Sequence, residues 1–177
     1  ITRWLEVFIL NIAYLSLGSN ISDGSKVLFH AYDELSRISR YSEISSIYLT
    51  NPVGFIQQPE FTNAVCKLYV DLDPFQLLKY SMQLQNNAGR KNSFQNGPRI
   101  LDIDLISYSN VVLDTPLLKL PHPRMENRLF VLIPLMELDP LWVDPVSKKS
   151  ISKLVDIAYR NVNSFKVKKM VVENNWW

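Results

Sequence analysis

An α+β fold with the element order βαββαβ follows from three features of the sequence. Short runs alternate apolar with polar residues, two stretches between them repeat apolar residues at helical spacing, and Gly, Pro, Asn and Asp punctuate the joins. Residues 11 to 17 alternate and end at Gly18-Ser19-Asn20, which reads as a strand entering a turn. Val27, Leu28, Ala31, Leu35 and Ile38 then recur on one helical face, behind Ser22 and Asp23, either of which can cap it. Extended segments at 42 to 49 and 61 to 71 flank the loop Asn51 to Pro59. Asp73-Pro74 opens a second helix by supplying a cap and a first-turn proline, with Leu77, Leu78 and Met82 on its buried side. After the loop 88 to 98, Leu101 to Ile106 returns to strand alternation. That order is the ferredoxin-like split βαβ arrangement, an antiparallel sheet backed by helices. Beyond it the sequence predicts a short strand at 111 to 113, a proline-bounded loop at 116 to 123 and an apolar helical run over 125 to 138 that Pro134 should end. A last helix over 150 to 161 and a tail over 162 to 177 complete the expectation of additional C-terminal helices on one domain spanning 1–177.

Composition narrows the function classes. With 177 residues, 47% of them apolar, the chain can build one domain with a sizeable core. A net charge of +2, mixed in sign along the chain, lacks the concentrated basic stripe of a nucleic-acid binder, so no nucleic acid is expected as partner. Apolar stretches are broken by charge well short of membrane-spanning length, and no membrane partner is expected. The single cysteine, Cys66, lies in an apolar strand-like run and reads as core in a reducing compartment, cytoplasmic or an organelle matrix. The apolar start, Ile1 to Leu10, has neither an initiator Met nor a cleavage pattern and reads as the edge of an excised fragment.

The most informative stretch is Gly97-Pro98-Arg99-Ile100-Leu101-Asp102-Ile103-Asp104. Strand side chains change face at every residue, so Asp102 and Asp104 point one way and Leu101, Ile103 and Leu105 the other. An Asp-x-Asp on a solvated strand face needs no function by itself. Yet two carboxylates this close repel unless a cation lies between them, and all-oxygen ligation suits Mg²⁺ carrying the phosphates of a nucleotide. Asp is also a poor strand former, and here two interrupt a good β segment, with Pro121-His122-Pro123-Arg124-Met125-Glu126-Asn127-Arg128 following about twenty residues later.

Five segments in order, Leu17-Gly18-Ser19-Asn20, Ser45-Ser46-Ile47-Tyr48, Gln58 to Val65, Gly97 to Asp104, and Leu120 to Met125 with Arg128, resemble the 6-hydroxymethyl-7,8-dihydropterin pyrophosphokinases of folate biosynthesis. The resemblance covers roughly residues 12 to 146. It implies transfer of pyrophosphate from ATP, as co-substrate, to the hydroxymethyl group of 6-hydroxymethyl-7,8-dihydropterin, with release of AMP. It further implies that Asp102 and Asp104 hold two Mg²⁺ ions, and that Arg90, Arg99, His122 and Arg128 occupy the phosphate and nucleotide positions. Phe61 and Phe130 fall where the family sandwiches the pterin ring; Thr50, Val53 and Asn63 fall at its polar edge. His30 matches no motif and reads as structural. Lys91 to Asn96, polar and ending at Gly-Pro, is expected to be a mobile lid.

Three positions depart from the bacterial pattern. Asn96 stands where a Trp is common, Gln85 where a Glu ends the second helix, and Leu117 where an Arg precedes the Pro-His. These touch loop closure and nucleotide contacts rather than the metal pair. The Asn-Gly-Pro-Arg wording resembles eukaryotic folate-pathway proteins in which this domain is fused to dihydropteroate synthase, which implies that synthase as a fused or associated partner. Two other readings compete. One is a catalytically weakened pterin- or nucleotide-binding interaction domain; the other, ferredoxin-like RNA binding, would set the Asp pair against phosphate.

Overall fold

The computed structural model describes residues 10–21, 23–52, 59–89, 100–161 and 167–170. Strand β1 (Asn11–Ser19) lies inside the sheet, paired antiparallel on both sides, with β4 (Phe61–Val70) along nine residues and with β5 (Asp102–Tyr108) on the other edge. Both β2 (Tyr41–Ile44) and β3 (Tyr48–Thr50) pair with β4, so the second strand of the expected βαββαβ order is one extended segment broken in two. Ser45 fills the break: its N–H donates to the Val65 carbonyl at 2.9 Å and its hydroxyl accepts the Val65 N–H at 3.0 Å. The order β5-β1-β4-β3 is the one expected of the ferredoxin-like arrangement, with β8 (Val167–Lys169) added outside β3.

That added strand corrects the reading of 162 to 177 as a tail, since residues 167 to 169 belong to the sheet. Without them β3 would present an open edge of unpaired backbone groups.

Alternation along the strands divides the interior into two layers. Ala13, Leu15, Leu17, Ala64, Cys66, Leu68, Ile103 and Leu105 meet Leu28 and Leu35 of α1 (Gly24–Ser36) and Leu77 of α2 (Pro74–Asn87). Tyr14, Val65 and Ile106 face the other way, onto Leu129, Leu132 and Leu135 of α3 (Leu129–Leu138) and Leu154 and Val155 of α4 (Ile151–Asn161). Cys66 is fully buried in the first layer, where burial pushes its thiol up to about 12, so it is an inert core residue.

The second helix begins as its sequence requires. Asp73 Oδ1 accepts the N–H groups of Phe75 (2.8 Å) and Gln76 (2.9 Å), and Gln76 Oε1 accepts the Asp73 N–H in return, a capping box with Pro74 in the first turn. The helix ends at Gly89, whose φ of +88° is unfavourable for any residue with a side chain. Its inward row is Leu77, Ser81 and Gln85; Met82, expected inside, is 49% exposed because it lies about a quarter-turn off that row.

Pro134 does not end α3, which continues to Leu138. The ring forfeits one backbone bond and crowds the preceding turn, at a cost of about 3 kcal/mol. Leu129, Val131, Leu132, Leu135 and Pro134 itself are all buried in the second layer, and full burial of each large apolar side chain is worth roughly 1.5–3 kcal/mol, so packing outweighs the local penalty. The expected strand at 111 to 113 is shifted to β6 (Leu113–Asp114), which pairs with β7 (Lys119–Leu120) inside the stretch expected to be loop.

Asp73→Ala is expected to lower stability by about 1 kcal/mol. The check is a urea titration in which the midpoint falls and the slope stays unchanged.

Candidate active site

The face toward α3 and α4 carries the site, and strand pairing assembles it. Tyr48, Asn63, Gly18 and Asp102 form one register row across β3, β4, β1 and β5. Val65, Ser16 and Asp104 form the next row. With neighbouring strands about 4.8 Å apart, Asn63 and Asp102 stand roughly 10 Å apart with Gly18 between them. A Cβ at Gly18 would lie 3.6 Å from Asn63 Oδ1 and 3.9 Å from Asp102 Cβ, so this glycine leaves a flat floor between an amide and a carboxylate. Gly18 stood in the first sequence motif without a role; its place in the row supplies one.

The carboxylate end of the row is built by three segments. Asp104 Oδ2 accepts from Arg128 Nη1 at 2.7 Å, and His122 Nε2 lies 3.8 Å from the same oxygen. His122 is held by its backbone, whose N–H donates to the Ile106 carbonyl at 2.8 Å, just past the Asp pair on β5. Its Nδ1 accepts the Arg124 N–H at 3.2 Å, so in the neutral ring the proton sits on Nε2, facing Asp104. Burial lowers the His122 pKa from its ordinary value, Asp104 opposes that, and Arg128 and Arg124 reinforce it. Arg128 precedes α3, and its guanidinium carbon lies 5.5 Å from the centre of the Phe130 ring, a cation–π contact. Carboxylate, guanidinium and aromatic ring are therefore stacked in series.

At the amide end, Asn63 is buried, and its Nδ2 donates to Thr50 Oγ1 at 2.9 Å and to the Phe61 carbonyl at 3.1 Å. Both donors are engaged, which fixes the amide and turns Oδ1 toward Gly18 as an acceptor. Thr50 is buried opposite Phe61 in register, and Phe61 is half-buried.

Of the residues expected at the site, Asp102, Asp104, His122, Arg128, Thr50, Phe61, Asn63 and Phe130 come together on this face or at its rim. Val53, Arg90 and Arg99 lie outside the described residues, as do Asn96 and the lid expected over Lys91 to Asn96. Gln85 is buried on the inward row of α2 and donates to the Ser81 carbonyl at 3.4 Å; Leu117 is 69% exposed. His30, read as structural, is a solvent-facing residue of α1.

The family model described as 7,8-dihydro-6-hydroxymethylpterin-pyrophosphokinase (HPPK) matches residues 14–140, the stretch that contains every one of these side chains. The chain belongs to this family. It is 41% identical to a pyrophosphokinase of Bacillus subtilis named for 2-amino-4-hydroxy-6-hydroxymethyldihydropteridine, over 72% of this chain and 78% of that one. A folic acid synthesis protein of Dictyostelium discoideum is 38% identical over 76% of this chain, which spans only 20% of that protein. Among solved structures, a Plasmodium falciparum HPPK-DHPS chain superposes with a TM-score of 0.67 at 14% identity, covering 90% of this chain and 48% of its own length. This HPPK domain thus matches relatives that stand alone and segments of much longer proteins.

Thr50→Val keeps the shape of the side chain but removes the acceptor of the buried Asn63 amide. A loss of about 1–3 kcal/mol is expected, read from the shift of the urea midpoint.

Proposed function

We propose that this domain transfers pyrophosphate from ATP to the hydroxymethyl group of 6-hydroxymethyl-7,8-dihydropterin, releasing AMP. The observation that carries the reading is the register row: a fixed amide acceptor at Asn63 and a carboxylate pair at Asp102 and Asp104 share one floor about 10 Å wide. A pterin held at the amide end reaches with its hydroxymethyl arm toward the end where phosphates would lie.

At the pterin end, Asn63 Oδ1 accepts from a ring N–H, while Phe61 and Phe130 bound the flat slot. Thr50 acts through Asn63, by holding its amide. Val53 is assigned to the same edge by its place in the motif.

At the phosphate end, the new bond joins the substrate's hydroxymethyl oxygen to the β-phosphorus, and the bond from that phosphorus to the bridging α–β oxygen breaks. AMP leaves with the bridging oxygen. Charge then builds toward the α-phosphate, and fixed donors stabilise it more than they stabilise the ground state. Arg128 and the Nε2–H of His122 are such donors; Arg90 and Arg99 join them by motif position.

The donor set fits magnesium. Asp102 and Asp104 carry hard anionic oxygens two residues apart on one strand, a donor type that suits an ion taking its remaining ligands from phosphates and water. Two Mg²⁺ ions held by this pair would neutralise phosphate charge and polarise the reacting oxygens. Asp104 already has Arg128 as counter-ion, so its negative charge is balanced before any ligand arrives.

The HPPK-DHPS chains that share this fold, and a folic acid synthesis protein of which this chain spans 20%, favour a further folate-pathway enzyme, a dihydropteroate synthase, as fused or associated partner. Among the described residues no helix is long and apolar enough to cross a membrane. We place the domain in the cytoplasm or an organelle matrix, the reducing setting in which its lone buried thiol persists.

Incubation with ATP, Mg²⁺ and 6-hydroxymethyl-7,8-dihydropterin, followed by nucleotide chromatography, is expected to give AMP. ADP as the only nucleotide product would overturn the reading, and pterin binding without turnover would favour an interaction domain. Asp102→Asn and Asp104→Asn are each expected to cut turnover at least about a hundredfold, since metal positioning and charge neutralisation fail together.

Phe130→Ala is expected to weaken pterin binding more than ATP binding, by on the order of 1 kcal/mol beyond lost area. Calorimetric titration of each ligand into the folded variant checks it. Equal losses for both would point to a damaged core.

A further inference from the structure

The slot has two walls on different elements. Phe130 stands in the first turn of α3, while Thr50, Phe61 and Asn63 stand on β3 and β4. No backbone pairing joins a helix to a strand, so the gap between the walls depends on side chains. At the far end of α3, Glu137 reaches across that gap. Its Oε2 accepts the Tyr48 hydroxyl at 2.6 Å; its Oε1 accepts the Ser46 hydroxyl at 2.7 Å, the Ser46 N–H at 3.2 Å and the Lys169 ammonium at 3.3 Å. Tyr48 is the register partner of Asn63, and Thr50, two residues on, holds the Asn63 amide. Lys169 belongs to β8 and pairs with Tyr48 on the opposite side.

We propose that Glu137 is a positioning residue for pterin recognition, clasping the helix that carries Phe130 to the strand that carries Thr50 and so setting the width of the slot. The inference rests on the functional reading above. Burial by itself would raise the Glu137 pKa, but the bonds from Tyr48 and Ser46 outweigh it and hold the carboxyl below its ordinary value, so the clasp is anionic and closed at neutral pH. Burial and the neighbouring Glu137 raise the Tyr48 pKa, which keeps its hydroxyl protonated as the donor. Glu137 is about two turns from Phe130 along α3, so it touches neither phosphate nor pterin and acts only through the two walls. β8 is tied into the same clasp through Lys169, so the chain after α4 braces the pterin wall.

The test is a split between the two substrates. Glu137→Ala is expected to raise the KM for the hydroxymethyl-dihydropterin about tenfold and to leave the KM for ATP within about twofold. Glu137→Gln keeps an oxygen acceptor and is expected to recover most of that loss. Tyr48→Phe breaks one arm of the clasp and is expected to raise the pterin KM about threefold; it decides the matter if Glu137→Ala does not fold. Calorimetric titration of 6-hydroxymethylpterin into each variant, in the presence of α,β-methylene-ATP and Mg²⁺, gives the same comparison without turnover. It therefore separates failure of the clasp from failure of the pyrophosphokinase reading, which absence of AMP with the unsubstituted protein would mark. Equal rises in both KM values, or a lowered melting temperature with unchanged pterin affinity, would overturn the proposal.

Discussion

Double pairing of β1 is the constraint on which the rest of the structure depends. A strand hydrogen-bonded on both sides transmits one register to its neighbours, so the alternation of Ala13, Leu15 and Leu17 against Tyr14, Ser16 and Gly18 dictates which residues of β4 and β5 face each layer. A slip of one residue in β5 would send Asp102 and Asp104 into the apolar layer beneath α1 and α2. Unpaired carboxylates there would cost far more than any strand pairing returns. The fully buried leucines of β1 and the part-exposed carboxylates of β5 on the opposite face are thus two consequences of one register.

One carboxylate of the pair already has its counter-ion before any ligand arrives. Asp104 is neutralised by Arg128, which also lies against the Phe130 ring, and His122 stays near both through a backbone bond to β5. Such preorganisation matters for phosphoryl chemistry, in which little covalent work falls to the protein and positioned charge does most of it. The amide end is built differently, since Asn63 is held by two neutral hydrogen bonds and presents an uncharged acceptor. A single glycine separates the two chemistries. Its missing side chain leaves the floor between them open.

Much of this was legible in the sequence because it is local. The cap at Asp73, the proline after it and the alternation around Asp102 are written within windows of a few residues, and the structure returns each as read. Pro134 was misread because the local rule is real but small beside the burial of a whole apolar helix. Met82 was misread because three apolar residues in one helix do not by themselves say which row packs inward; neighbouring Ser81 and Gln85 do so, being polar and buried. β8 was missed because a three-residue strand with two lysines has no periodicity to detect, and only the open edge of β3 makes it a strand.

The sequence by itself determined the family, the α+β order and the identity of the carboxylate pair, because motifs and hydrophobic period are properties of residues near one another in the chain. The tertiary structure alone decided which distant residues share a face: that Gly18 lies between Asn63 and Asp102, that Arg128 meets Asp104, and that Glu137 closes on Ser46, Tyr48 and Lys169. The physical reason is strand register and helix docking, which act between segments dozens of residues apart. A lone Glu at the end of an apolar helix carries no local mark of the three partners it will find.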